Sequence, residues 1–221
     1  MSEKVKRNIT CPKCGNVKET TLLCSVNASS FNEAHKQIFD DTFFEWTCEK
    51  CGETRQLLHP LLYNDIKNRT MIYYIPNVDR RQLVDDRLEA EFPELADVKK
   101  RVVPTINALK EKLYIFDLGL NDMAVELTKL AVAELVTKSQ KINVSEGYLS
   151  SYDEEANSIG FEFFIGEAGK PFLQSTRLEV YKRSLEIVET YFKDEDSRQG
   201  FLTIDRRWAK EALGQYRKLK K

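Results

Sequence analysis

Two cysteine pairs constrain this chain more than any other feature: Cys11-Pro12-Lys13-Cys14-Gly15 and Cys48-Glu49-Lys50-Cys51-Gly52. Each is a CxxCG knuckle, a tight turn that can present two thiolates to one ion. Together they supply a complete tetrahedral shell, with sulfurs about 2.3 Å from the metal. The metal candidates are therefore Cys11, Cys14, Cys48 and Cys51, and two such turns between strands make a zinc ribbon. Thirty-three residues separate Cys14 from Cys48, a spacing that calls for an insertion holding one short helix and two strands. An all-thiolate shell selects zinc or iron. Zinc is expected, and a rubredoxin-like iron site in electron transfer is the alternative. Four thiolates leave no open position for water or substrate, so the ion is read as structural. A thioredoxin-like pair would need its first cysteine at a helix start, whereas strand-like sequence follows Cys14.

The flanking sequence supplies the ribbon. Residues 17–26 are rich in Thr, Leu and Val and read as a strand containing a lone Cys24. Ser30 and Glu33 have the spacing of a capping box for a helix ending near Phe39, with Phe31, Ala34 and Ile38 facing inward. His35 lies on that helix and is read as a surface residue. Thr42–Thr47 reads as a strand that brings Phe43, Phe44 and Trp46 up to the sulfurs. Strands are expected again over 54–58 and 69–75, with His59 between them as a structural residue near the second knuckle.

After Pro76 the apolar period changes from two to 3.6, which places a module boundary there. The expected division is 1–76, the ribbon, and 77–221, a mainly helical domain with a β-hairpin near 147–165. Helices are expected over 79–92, over a seam of Val102, Ile106, Leu109, Leu113 and Phe116, and over 122–138. The last of these is apolar nearly all round, Leu135 included, and Asn121 is its N-cap. The acidic group Asp117, Asn121, Asp122 and Glu126 is read mostly as capping. A third strand near 171–174, a helix over 176–193 and a final helix capped by Asp205 complete an α+β protein.

Charge and composition narrow the role. Residues 1–76 carry a balance of +1, residues 77–204 of −7 and residues 205–221 of +5. Only the last helix offers a basic face, through Arg206, Arg207, Arg217 and Lys218, so nucleic-acid binding through ribbon and helix is an alternative role. No apolar run is long enough to cross a bilayer. No apolar leader follows the first residues, and cysteines in CxxC pairs suit a reducing compartment, so a cytoplasmic protein without membrane contact is expected. P-loop, GxGxxG, HExxH and GxSxG motifs are missing, and neither histidine accompanies a nucleophile. No catalytic residue is named. An enzyme with its site in a groove between the two modules is the remaining alternative to a non-catalytic module that binds another protein.

The chain resembles the CpXC family. The resemblance rests on Ile9–Gly15, on Cys48–Gly52, on His59-Pro60-Leu61-Leu62-Tyr63, on Met71-Ile72-Tyr73-Tyr74-Ile75-Pro76 and on stretches through Gly119-Leu120-Asn121-Asp122. It implies a zinc-ribbon-like N-terminal part with Cys11, Cys14, Cys48 and Cys51 as ligands. It implies no catalytic residues.

Overall fold

The computed structural model describes residues 3–31, 33–84, 95, 97–141, 144–166 and 170–220. Two short hairpins carry the knuckles. Strands β1 (Lys4–Thr10) and β2 (Val17–Leu23) pair antiparallel, Thr10 opposite Val17, so the first knuckle is their turn. Strands β4 (Glu45–Thr47) and β5 (Thr54–Gln56) pair around the second, Thr47 opposite Thr54. Between them lie β3 (Ser25–Asn27) and helix α1 (Glu33–Phe39). The expected strand over 17–26 is thus broken at Cys24. There the chain leaves the hairpin, and the Cys24 carbonyl accepts from Leu62 N–H.

The main sheet has six strands in the order β3-β6-β7-β9-β13-β8. Its other members are β6 (Leu61–Asp65), β7 (Thr70–Tyr74), β8 (Gln82–Leu83), β9 (Lys99–Val103) and β13 (Phe201–Leu202). Strands β7 and β9 run parallel, Ile72 beside Arg101, so strands from both sides of residue 76 share one sheet. A second sheet is the antiparallel meander β10 (Val144–Asp153), β11 (Ser158–Ile165) and β12 (Lys170–Arg177), which includes the expected hairpin and third strand.

Four more helices are described: α2 (Ile106–Asp117), α3 (Asp122–Gln140), α4 (Leu178–Tyr191) and α5 (Arg206–Leu219). Helix α3 is central, packed by α2, α4, α5 and β10. Its start is set by Asn121, whose Oδ1 accepts from the N–H groups of Met123 and Ala124. Asp205 caps α5 likewise, accepting from Arg207 and Trp208. Thr105 caps α2. None of the helices among the described residues is long and apolar enough to cross a membrane.

Several expectations are corrected. Val102 does not open a helix. Val102 is buried in β9, and the helix begins only after Thr105. The Ser30 hydroxyl donates back to the Asn27 carbonyl, closing a turn ahead of α1. Of the helix expected over 79–92, Gln82–Leu83 is a strand, and the remainder from residue 85 lies outside the described residues. Phe43 and Phe44 precede β4. They join the main core, with Phe44 edge-on to Tyr74 at 5.3 Å. Helix α3 also inverts one expectation. Leu135 is 67 % exposed, whereas Glu126 on the same helix is 3 % exposed.

Candidate metal centre

The knuckles fold as turns because each second cysteine is followed by glycine in the left-handed region, φ +68° at Gly15 and +69° at Gly52. Gly15 N–H donates to the Cys11 carbonyl at 2.9 Å and Gly52 N–H to that of Cys48 at 2.8 Å. Each first cysteine also donates across the turn, Cys11 to Asn16 and Cys48 to Glu53, both at 2.8 Å. A Cβ at either glycine would meet no atom within 4 Å. Only the backbone conformation demands glycine. Gly15→Ala should therefore cost about 1–2 kcal/mol, read as roughly tenfold weaker metal retention against a competing chelator.

The two turns face one another. All four Sγ atoms lie within 4.8 Å of one another. Cys11 to Cys51 and Cys14 to Cys48 are both 3.7 Å apart. A tetrahedron of thiolates about 2.3 Å from its centre has edges of about 3.8 Å, so the donor set fits a four-coordinate ion. Cys11 and Cys48 are buried, Cys14 and Cys51 partly so. Trp46, Ile9 and Leu57 pack around the sulfurs as a small core separate from the main one. Of the three aromatics expected beside the metal, only Trp46 is there. Lys18–Glu49 and Lys13–Glu53 ion pairs join the knuckles at the surface, where such pairs contribute little.

The thiols of Cys48 and Cys51 are shifted in opposite directions. Burial raises the Cys48 thiol, but the backbone amides of Cys51 and Lys50 and the thiols of Cys11 and Cys14 outweigh it and bring it down to about 7. At Cys51 the Glu53 amide lowers the thiol, yet burial and the other three sulfurs push it up to about 12. The Cys48 proton leaves readily and the Cys51 proton does not, because a second negative charge would crowd the first. A cation among them removes that opposition.

The other residues singled out from sequence fall elsewhere. Cys24 lies outside the cluster, its thiol raised by burial and by Glu3. His35 Nε2 meets Asp117 at 2.7 Å. His59 Nδ1 lies 3.0 Å from the Pro60 carbonyl oxygen, and its ring packs on Phe44. On α5, Arg206 Nη1 donates to the carbonyls of Val144 and Ser145, and Arg207 pairs with Asp79. Half of the four-residue basic face is therefore already engaged.

A second group of polar residues was not legible as a site. Arg101 is fully buried in β9 and grips Asp122 with Nε and Nη2 at 2.7 and 2.9 Å. Asp122 also accepts from Lys112, and Arg101 reaches Asp196. Burial alone would raise the Asp122 carboxyl, but Arg101 and Lys112 hold it well below the usual carboxylate range. Nearby, Lys129 Nζ lies 2.9 and 3.0 Å from the two Glu111 oxygens and 2.8 Å from Glu126 Oε2. Glu111 further accepts from Leu149 N–H on β10. Asp122 and Glu126 are thus buried charge partners, not caps as their sequence position implied. The available signal was charge on a helix that is otherwise apolar. A cavity of about 640 Å³ opens beside this group. Its lining comes from residues 102–211, entirely beyond residue 76, so it is not the groove between modules expected for an enzyme.

Fold and centre together define a mixed α+β protein with a four-cysteine cluster that could hold a metal ion. A model of the CpXC protein family matches residues 9–129, and the chain belongs to that family. The matched span includes both knuckles and runs through Lys129. No curated protein and no solved structure matches the chain.

Proposed function

We propose that the protein is a non-catalytic, zinc-clamped interaction module. Cys11, Cys14, Cys48 and Cys51 hold one Zn²⁺, and the ion fixes the two knuckle hairpins as a zinc ribbon that another protein recognises. The observation that carries this reading is the 3.7 Å sulfur spacing of Cys11–Cys51 and Cys14–Cys48, two of the four cross-knuckle pairs, which is the edge of a thiolate tetrahedron. Zinc suits a clamp because it is redox-silent and has no preferred geometry of its own. Val17, at the start of β2, and Leu58, just after β5, are both more than half exposed and offer apolar contact on this unit.

Elemental analysis with absorbance tests the metal. Purified protein should carry one zinc per chain and be colourless. Stoichiometric iron with visible thiolate-to-iron bands would replace this reading with the electron-transfer one. The partner is tested by affinity capture with the metal-replete chain and with the metal-stripped chain. Equal recovery of the same proteins from both would refute recognition through the clamped ribbon.

A further inference from the structure

Glu111, Lys129 and Glu126 form a buried trio of two carboxylates and one ammonium, one positive charge short of balance. The other buried group, Arg101 and Lys112 with Asp122 and Asp196, is internally balanced, two of each sign. The deficit therefore sits with the trio. Within it, Glu111 accepts from Lys129 and from Leu149 N–H. Glu126 is bonded through Oε2 alone, to Lys129. Its Oε1 accepts no hydrogen bond from the described residues, although the side chain is 97 % buried by its 3 % exposure. Glu126 lines the cavity of about 640 Å³, which falls within the range of small-molecule sites. Much of the remaining wall is apolar, from Val102, Leu130, Ala133, Val144 and Phe163. Arg206, also in the lining, has a buried Nε–H with no partner.

We propose that this cavity binds a small organic amine with an apolar body, its ammonium group taken by the Glu126 carboxylate. The amine adds a second direct cation to a buried carboxylate that Lys129 meets through one oxygen only, and buried charge is costly unless it is paired. Burial raises the Glu126 carboxyl and Glu111 raises it further, outweighing Lys129 and Lys112, which lower it. A hydrated metal ion fits poorly, because calcium and magnesium take six or more oxygen ligands, and among the described residues no group of three possible metal ligands gathers here. The Lys129 ammonium is already held by three carboxylate oxygens, but Lys112, Arg206, Arg207 and Lys210 also line the cavity, so an anionic ligand is the competing outcome of the test. The unpartnered Arg206 Nε–H suits a carbonyl oxygen on the same ligand, so an amine that also bears an amide should bind more tightly than the bare amine.

The test is methyl-resolved NMR titration of the metal-replete chain with phenethylamine, phenylalaninamide and 3-phenylpropionate. The two amines should shift the methyl signals of Leu130, Ala133 and Val144 saturably, phenylalaninamide at the lower concentration, and phenylpropionate should leave them in place. Glu126→Gln keeps shape and a hydrogen-bond acceptor for Lys129, and should weaken both amines by about tenfold or more, the effect of losing a charge-assisted contact. Ala133→Leu intrudes on the cavity and should weaken the amine shifts even if Glu126→Gln fails to fold. Phenylpropionate binding as well as the amines, unchanged amine affinity in Glu126→Gln, undiminished amine affinity in Ala133→Leu, or no saturable shift with any probe at millimolar concentration would each overturn the proposal.

Discussion

Under the proposed zinc-clamp reading, replacing Cys48 and Cys51 together by serine will release the metal and unravel both knuckle hairpins, residues 4–23 and 45–56, while the main sheet stays folded. The hairpins have little else to hold them. Their shared core beyond the cysteines is Trp46, Ile9 and Leu57, and β4 and β5 are three residues each. Thiolate–zinc binding contributes about 10–16 kcal/mol in small zinc-dependent units, more than so small a core can supply. The main sheet belongs to a different core, built from residues such as Val26, Leu61, Ile72 and Leu109. Hydrogen exchange should show hairpin amides exchanging near their unfolded rates, with protection kept in Leu61–Asp65 and Thr70–Tyr74. Hairpin amides that stayed protected in the double variant would show that these turns stand without metal.

The second large effect concerns Asp122. Replacing it by alanine will cost about 3–5 kcal/mol, because Arg101 and Lys112 are left charged, buried and short of a partner. Both side chains are almost wholly buried, at 0 % and 4 %. Urea unfolding should give a lower midpoint with an unchanged slope. Replacing Arg101, Lys112 and Asp122 together by methionine, methionine and leucine should recover much of the loss, since apolar residues of similar volume need no pairing. The pH dependence has a definite sign. The Asp122 carboxyl is depressed in the folded chain, so its stabilisation is fully present above the unfolded value of about 3.9 and is lost as pH falls. The gap between the natural chain and Asp122→Ala should narrow below about pH 4. A gap constant from pH 7 to pH 2.5 would mean that the loss is one of packing.

These two effects differ in how far the sequence foretold them. The cysteine cluster was legible because two CxxCG turns are local patterns, and a tetrahedron needs four donors however the chain between them runs. The caps at Asn121 and Asp205 were legible for the same reason: an oxygen two or three residues from the amides it serves acts within one turn. Val102 was misread because β9 leads almost directly into α2. Buried apolar residues in a strand then fall in step with the helical seam that follows, and periodicity alone does not divide them. Helix α3 was recognised, but a helix apolar on nearly every side does not declare its exposed stripe, so Leu135 was placed inside. The charge clusters were the least legible. Arg101 meets Asp122 and Asp196 from 21 and 95 residues away, and Glu111 meets Lys129 from 18. Nothing local distinguishes such charges from those of a solvated face.

Strand β13 is two residues long, yet it lies between β9 and β8 in the main sheet, with Leu202 beside Arg101 and Phe201 beside Leu83. Strand β8 has no other strand neighbour among the described residues. On the ribosome, β9 is made about a hundred residues before its partner, an interval of about 5–20 s at ordinary translation speeds. Through that interval the nascent chain holds one edge of its sheet open, with β9 paired on its β7 side only and β8 lacking a place. An unpaired edge of this kind is where two nascent copies on one messenger would first adhere.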